Sequence, residues 1–317
     1  MKDSVKKFCN EVKDTIKHLN KNINYIHNKS DKFRIVIFFD ILWCIIKYGI
    51  SDNEYRIFEF YLITKEKRKT YLSIDKHNSL NKKLYNKKIS NVLEDKKIFG
   101  RRFKEYINYD VINIKDLNFK SFEDFALKNK TIIAKSSTNS FVKTYKIYDL
   151  KDYRSPAFMS DQINKDNLSM LFKKVSQAKQ LNTINDLVVV NVTSIYNNGC
   201  NIISSNLKYK ENNKIITGFI DCKTGKIKGN FKDEKGISIT NQFDGFAIPN
   251  YEKVLDMTKK LSKELEEIKE IEWSFLIGNK TVYLVDANKW EDFVFAQTPE
   301  FLKNRIGLLP IYNKLVK

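Results

Sequence analysis

Apolar residues return every three or four positions through the first fifty residues, which is the spacing of helices that bury one face. The clearest series is Val5, Phe8, Val12, Ile16 and Leu19. The most apolar run of the chain, Ile35 to Ile50, is interrupted by Asp40 and Lys47 and contains Gly49. It is too short and too charged to span a bilayer comfortably, so it predicts a buried helix and no transmembrane segment.

Paired strands dominate the second half of the pattern. An apolar TIIAK, a polar SSTNSF loop and an alternating VKTYKIYDL predict one hairpin, and KIITGFID and KIKGNF predict another around Lys223-Thr224-Gly225. A third hairpin joins EWSFLIG to TVYLVDAN through Gly278-Asn279-Lys280. LVVVNVTSIY predicts a buried strand, and residues 251–270 predict an amphipathic helix. This order predicts an α+β fold and not a doubly wound parallel sheet.

The change of pattern along the chain suggests three parts. Residues 1–50 form a helical N-terminal region, and residues 51–120 form an intermediate segment with the helix-like NVLEDKKIFGRRFKEYI. Residues 121–317 then carry the paired strands and form the main body.

Composition limits the classes of protein that this chain can represent. Hydrophobic residues make up 42% of 317 residues, with only 4 prolines and 10 glycines, so a sizeable core is expected. The four cysteines form no C-x-x-C pair and the three histidines have no ligand spacing, which argues against zinc and Ser-His-Asp chemistry. Met1 to Asn20 contain no secretory apolar region, so we expect a cytoplasmic protein.

The formal net charge of +19 has two interpretations. One is a polyanionic partner such as nucleic acid, an acidic membrane or a nucleotide. The other is compositional drift, because Lys, Asn and Ile are abundant throughout the chain and the lysines are not clustered. We favour drift, with a nucleotide as the specific anion and no specific nucleic acid as partner.

The final hairpin carries candidate metal ligands. Strand alternation places Asp286 and Asn288 on one face, with Glu272 and Ser274 on one face of the partner strand. Carboxylate and amide oxygens at this spacing can hold Mg²⁺ between protein and phosphate. The alternative is a polar strand end that faces solvent.

Two lysines are candidates for binding phosphate. Lys135 ends the apolar TIIAK strand and precedes the hydroxyl-rich loop from Ser136 to Ser140, so it can act as a point charge beneath loop N–H groups. Lys96 lies in the charged run from Glu94 to Lys97, which is alternatively an ordinary solvated helix face.

Read in order, these segments resemble the sugar-transfer-associated ATP-grasp family, which is related to the α-L-glutamate ligases. The resemblance runs from about Tyr48 to Thr298. The segments that carry it are YGISDNEYRIFEFYL, Asn91 to Phe99, IIAKSSTNSF, NDLVVVNV, TGFIDCKTGKI, DGFAIPNYEKVLDM and EWSFLIGNKTVYLVDANKWEDFVFAQ.

The resemblance implies an ATP-grasp fold, in which two α+β lobes close on ATP, after a helical N-terminal region. It implies that Lys96 and Lys135 contact the nucleotide, that Asp286 and Asn288 bind Mg²⁺, and that Asp161 belongs to the pair holding adenine and ribose. The family's first metal-binding Asp falls here on Ser274, and its strand arginine on Val188. Glu272 shares the face of Ser274 and could replace the missing carboxylate.

The function implied is an ATP-dependent ligase that joins a carboxylate to an amine or hydroxyl through an acyl-phosphate. The family places such ligases in cell-surface glycan or natural-product biosynthesis. The alternative is a catalytically inactive nucleotide-binding or scaffold protein, because Ser274 removes a negative charge from the metal site and the phosphate loop lacks glycine.

Overall fold

The computed structural model describes residues 2–86, 89–107, 111–137, 140–240, 242–290 and 292–316. In these ranges the helices are α1 (Lys2–Ser30), α2 (Arg34–Tyr48), α3 (Asp52–Ile57), α4 (Lys65–Arg68), α5 (Ile74–Leu84), α6 (Asn91–Glu94), α7 (Lys96–Arg102), α8 (Lys104–Ile107), α9 (Phe119–Asn129), α10 (Phe141–Thr144), α11 (Pro156–Lys165), α12 (Tyr251–Glu264) and α13 (Leu309–Leu315).

The strands of the described residues form two sheets, in which every pairing is antiparallel. They are β1 (Val111–Asn113), β2 (Thr131–Lys135), β3 (Lys146–Asp149), β4 (Met170–Lys173), β5 (Val189–Tyr196), β6 (Cys200–Glu211), β7 (Lys214–Ile220), β8 (Ile227–Lys232), β9 (Ser238–Ile239), β10 (Glu270–Ile277) and β11 (Val282–Asn288). The four-stranded sheet has the order β1-β4-β2-β3, and the seven-stranded sheet has the order β11-β10-β5-β6-β7-β8-β9. The predicted α+β class is confirmed.

The predicted hairpins are present, with local differences. Strands β7 and β8 flank the predicted turn, β10 pairs with β11, and β2 pairs with β3. The segment predicted as the start of the β3 strand instead forms α10, and α12 ends at Glu264, before the predicted end at residue 270. Strand β6, the longest of the described strands at 12 residues, was not predicted, because polar residues occupy more than half of it.

The chain divides into two compact units at places other than residues 50 and 120. One unit contains Met1–Asn81 with Glu291–Lys317, and the other contains Lys82–Trp290. The physical reason is that the C-terminal segment packs against the N-terminal one. The Gln297 side chain accepts from the Leu72 N–H at 2.8 Å and donates to the Leu72 carbonyl at 2.9 Å.

In the first unit, α2 packs one face inward through Ile37, Ile41 and Cys44. The prediction that the whole apolar run is buried is wrong, because apolar side chains on the opposite face, including Phe39 and Ile46, are exposed. The local pattern could not separate these faces, since apolar residues occupy both. None of the described helices is long and apolar enough to cross a membrane.

In the second unit, the seven-stranded sheet buries one face against α12. The indole N–H of Trp273 on β10 lies 3.1 Å from the Ser194 hydroxyl and 3.2 Å from the Ser262 hydroxyl, which joins β5 and α12. The sheet's other face meets the four-stranded sheet through a shared apolar cluster that includes Ile133 and Leu276. Helices α9 and α11 cover the remaining face of the smaller sheet through a second cluster. This arrangement brings the end of β2 to β11.

Candidate functional site

Lys96 is the first residue of α7, and local capping fixes its position. The Asp95 carboxylate accepts from the N–H groups of Lys97 and Ile98, so α7 begins at Lys96. The buried Lys96 ammonium donates to the Leu93 carbonyl at 2.6 Å, to the Ala287 carbonyl at 2.8 Å and to Asn288 Oδ1 at 3.0 Å. Helix α7 is therefore tied to the end of β11 through this one side chain.

Lys135 reaches the same strand from the four-stranded sheet. Its ammonium lies 3.0 Å from Asp286 Oδ2, and Lys96 Nζ lies 2.8 Å from Asp286 Oδ1. Asp286 also accepts hydrogen bonds from the Phe141 N–H at 2.7 Å and from the N–H of the next residue, Ala287, at 3.0 Å. We call Lys96, Lys135, Asp286 and Asn288 the lysine–aspartate cluster.

The cluster holds two ammonium groups and one carboxylate away from solvent. Lys135 is 1% exposed and Asp286 is 0% exposed. Burial lowers the pKa of Lys135 and the nearby Lys96 lowers it further, while Asp286 partly offsets both, giving a pKa of about 8. Burial alone would raise the pKa of Asp286, but the two ammonium groups outweigh burial and hold it below its ordinary value. The cluster therefore carries excess positive charge.

Strand register places the other predicted metal residues next to this cluster. Ser274 is directly opposite Asp286, and Glu272 is opposite Asn288, so each pair shares a face as the sequence alternation predicted. Glu272 is buried, and its Oε1 lies 3.4 Å from the Lys208 ammonium of β6.

The predicted Mg²⁺ site does not fit this arrangement. Each Asp286 oxygen already accepts from a lysine and from a backbone N–H, and two adjacent ammonium groups would repel a dication. No group of three or more His, Cys, Asp or Glu side chains that could hold a metal occurs among the described residues. Metal binding by Asp286, Asn288 and Glu272 stays a prediction, and no chemical step is derived through it.

Asp161, predicted to hold adenine and ribose, is not brought to the cluster. Asp161 lies exposed on α11, and within the described ranges it forms no hydrogen bond or ion pair with Lys96, Lys135 or Asp286. Its role with adenine and ribose stays a prediction. Thr138 and Asn139 of the predicted phosphate loop lie outside the described residues.

A pocket of about 310 Å³ opens beside Lys96. Basic side chains line it together with apolar ones, among them Lys97, Arg101, Lys104, Ile112 and Met170. Met170 lies on β4 and is the cross-strand partner of Lys135 on β2. The pocket therefore extends from Lys96 toward the strand that pairs with the strand of Lys135. Among the described residues that line it, the acidic one is Asp116, which is paired with Lys97 at 3.0 Å.

Sequence reasoning missed the basic face of this pocket, although the signal was present. Lys97, Arg101 and Lys104 recur every three or four residues, which is one helical face. It also missed the polar face of β5 and β6, where Asn191, Thr193 and Ser204 are buried. These residues alternate along their strands and could have been found by period two. The Phe141 N–H that bonds Asp286 leaves no sequence signal.

Comparison with known sequences identified no relative. No protein-family model matches the chain. No curated protein matches it either.

Solved structures with a similar arrangement include three ligases. D-alanine–D-alanine ligase from Bacillus anthracis has a TM-score of 0.42 at 12% identity, over 72% of this chain and 67% of that one. The ATP-grasp ligase PsnB, complexed with a minimal precursor, Mg and ADP, has a TM-score of 0.41 at 11% identity. The match covers 73% of this chain and 61% of PsnB. N5-carboxyaminoimidazole synthetase from Staphylococcus aureus has a TM-score of 0.38 at 11% identity, and the match covers 63% of this chain and 45% of the synthetase.

These likenesses are remote. This chain spans less than half the length of the synthetase and about two thirds of the two other ligases. TM-scores of 0.38 to 0.42 do not establish a family or an activity.

Proposed function

We propose that this chain is an ATP-dependent ligase of the ATP-grasp kind, in which Lys96 and Lys135 bind the phosphates of ATP. The observation that carries the proposal is the convergence of two buried ammonium groups on one carboxylate. A buried site with one surplus cation favours an anionic ligand, because the ligand supplies the missing charge where water cannot screen it. The basic pocket beside Lys96 offers an approach for that anion.

The proposed reaction joins a carboxylate to an amine or a hydroxyl. A carboxylate oxygen attacks the γ-phosphorus of ATP, ADP leaves, and an acyl-phosphate forms. The amine or hydroxyl then attacks the acyl carbon and releases inorganic phosphate. Lys96 and Lys135 would hold the phosphate oxygens and balance the charge that develops on them. A role in glycan or natural-product assembly rests on the sequence resemblance alone.

A second candidate is a protein that binds nucleotide without turnover. Two observations favour it. Four donors already occupy the Asp286 carboxylate, and the opposing strand carries the hydroxyl of Ser274 where the resemblance implies a carboxylate. The two candidates share the nucleotide site and differ in whether ATP is consumed.

Thermal unfolding with and without ATP tests the shared site. A ligand that binds only the folded state stabilises it by mass action, by roughly 2.7 kcal/mol at a concentration of 100 Kd. We expect ATP to raise the Tm of the wild type and to raise those of Lys96→Met and Lys135→Met far less. Lys259→Met, at an exposed lysine of α12, is the control and should respond as the wild type does. An absent shift in millimolar ATP, with or without Mg²⁺, would refute the nucleotide site.

Turnover separates the two candidates. ADP release is measured in the presence of mixed amino acids and sugar acids, first for the wild type and then for Asp286→Asn. The ligase predicts release by the wild type and its loss in Asp286→Asn, with ATP still raising the variant's Tm. No release by a wild type that binds ATP favours the inactive protein.

A further inference from the structure

Helix α2 presents an exposed row of large apolar side chains that the nucleotide site does not explain. The row is Ile35, Phe39, Trp43 and Ile46 with Phe33 just before the helix, and we call it the apolar stripe. Ile46 is 83% exposed, Phe39 61% and Trp43 50%. The residues follow one another at intervals of three or four on the helix, so they form one continuous face.

The opposite face of α2 anchors the helix to its own unit. Ile37, Ile41 and Cys44 are buried there. Asp40 forms a two-pronged ion pair with Arg68, with N–O distances of 2.7 and 2.8 Å. The stripe is therefore carried on a helix whose orientation is fixed by packing and by a salt bridge.

Charge around the stripe is basic. Arg34 is the first residue of α2 and Lys47 lies in its last turn, and both are exposed. Just before the helix, Lys32 donates to the Tyr61 carbonyl and is adjacent to the exposed Asp31. The Lys47 ammonium lies 4.9 Å from the centre of the Trp43 ring. The acidic residue of α2, Asp40, is neutralised by Arg68. The stripe thus combines an apolar face with cations at both ends.

Helix α2 is too short to cross a bilayer. Its 15 residues extend about 22 Å, less than the roughly 30 Å of a hydrocarbon core. A groove of about 680 Å³ beside the helix, lined in part by Phe39 and Trp43, adds exposed apolar surface from Val36. Aromatic and aliphatic residues on one face with Lys and Arg beside them are the composition of interfacial helices.

We propose that the apolar stripe of α2 docks on an anionic lipid surface. The basic residues at the helix ends complement phosphate headgroups, while Phe39, Trp43 and Ile46 enter the boundary with the acyl chains. The same cations oppose a second copy as the occupant, since pairing two α2 helices face to face would bring like charges together in either direction. The inference does not depend on the nucleotide site.

Co-sedimentation with lipid vesicles tests the proposal on the 317-residue chain. Vesicles of phosphatidylcholine are compared with vesicles that also contain phosphatidylglycerol, at ~0.1 M salt. We expect binding to the anionic vesicles and much weaker binding to the neutral ones. The double variant Phe39→Ser/Ile46→Asp should lose at least about tenfold in partition, because several buried methylene groups are removed. Arg34→Gln and Lys47→Gln should each lower the partition into anionic vesicles roughly fivefold.

Three controls make the test specific. Phe158→Ser removes an exposed phenylalanine from α11 and should leave partition unchanged. Trp43 emission should shift to the blue on binding, since Trp273 and Trp290 are already buried and contribute little change. The ATP-induced Tm shift of the double variant should equal that of the wild type. Ile46→Gln replaces the double variant if the latter does not fold.

Several results would overturn the proposal. These are no partition into anionic vesicles, equal partition of the wild type and the Phe39 and Ile46 variants, or no change in Trp43 emission. A dimer in lipid-free solution that dissociates on substitution of Ile46 would identify a second copy as the occupant instead.

Discussion

At the scale of single residues, the sequence predicted which side chains share a face but not which of them would meet. Strand alternation correctly placed Asp286 with Asn288 on one face, and Glu272 with Ser274 on one face of the partner strand. It could not predict that Lys96 and Lys135 would both reach Asp286, because each lysine is more than 150 positions from Asp286 in the sequence. Such pairing is set by the packing of α7 and β2 against β11. A carboxylate predicted as a metal ligand is consequently the counter-ion of two lysines.

The lowered pKa of Lys135 predicts a pH dependence for ligand binding. The pKa is about 8 in the folded protein against an ordinary 10.5, so Lys135 loses its proton as pH rises through 8. ATP binding should weaken above this pH, approaching a tenfold loss of affinity per pH unit, since the neutral amine no longer balances phosphate charge. The ATP-induced Tm shift measured between pH 7 and 9 checks this.

Stability without ligand should change in the opposite direction. Between pH 8 and 10.5 the unfolded chain binds more protons at Lys135 than the folded protein does, so this group's contribution to unfolding free energy rises with pH. Lys135→Met removes both effects and serves as the control. An ATP affinity in the wild type that stays constant through pH 8 would contradict a phosphate-binding role for Lys135.

At the scale of elements, hairpins were predictable because their signals are local. The turn between β7 and β8 places Gly225 at φ +67°, a conformation that glycine adopts at low cost. The Ile248 N–H donates to the Gly225 carbonyl at 2.9 Å, so the turn also fixes the segment that leads into α12. That second contact is non-local and was not predictable. The exposed face of α2 was likewise not predictable, because burial depends on what covers a helix.

The Gly225 turn gives a stability prediction. A Cβ at Gly225 would lie 2.7 Å from Tyr251 Cδ1, so Gly225→Ala combines an unfavourable φ with a clash. We expect a loss of about 2 to 4 kcal/mol in unfolding free energy. Gly245→Ala is the matched control, since Gly245 has φ +81° and no neighbour within 4 Å, and it should cost only about 1 to 2 kcal/mol. Urea denaturation measures both, and equal losses would mean that the Tyr251 ring moves aside freely.

At the scale of the whole molecule, the sequence predicted the order of helices and strands better than their grouping. Residues 292–316 join the N-terminal unit through contacts such as Gln297 with Leu72. No local pattern predicts a contact between residues 225 positions apart in the sequence. Net charge is a whole-molecule property of the same kind. Its total can be counted from sequence, whereas its consequence depends on which lysines are buried and which are exposed.

The net charge of +19 leads to the last prediction, which concerns nucleic acid. Exposed lysines such as Lys17, Lys128, Lys223 and Lys259 come from distant parts of the chain, so their attraction for a polyanion should be diffuse. We expect binding of DNA and RNA to be sequence-independent, with a Kd of about a micromolar or weaker at physiological salt, and to disappear at moderately higher salt.

The buried lysines distinguish this attraction from ATP binding. Lys96→Met and Lys135→Met should leave nucleic-acid binding unchanged, because both ammonium groups are closed to a duplex. The same two substitutions should suppress the ATP-induced Tm shift. Fluorescence anisotropy with labelled duplex DNA and single-stranded RNA across a salt series provides the measurement. Nanomolar binding that survives added salt would instead mean that the basic balance of the chain serves a nucleic-acid partner.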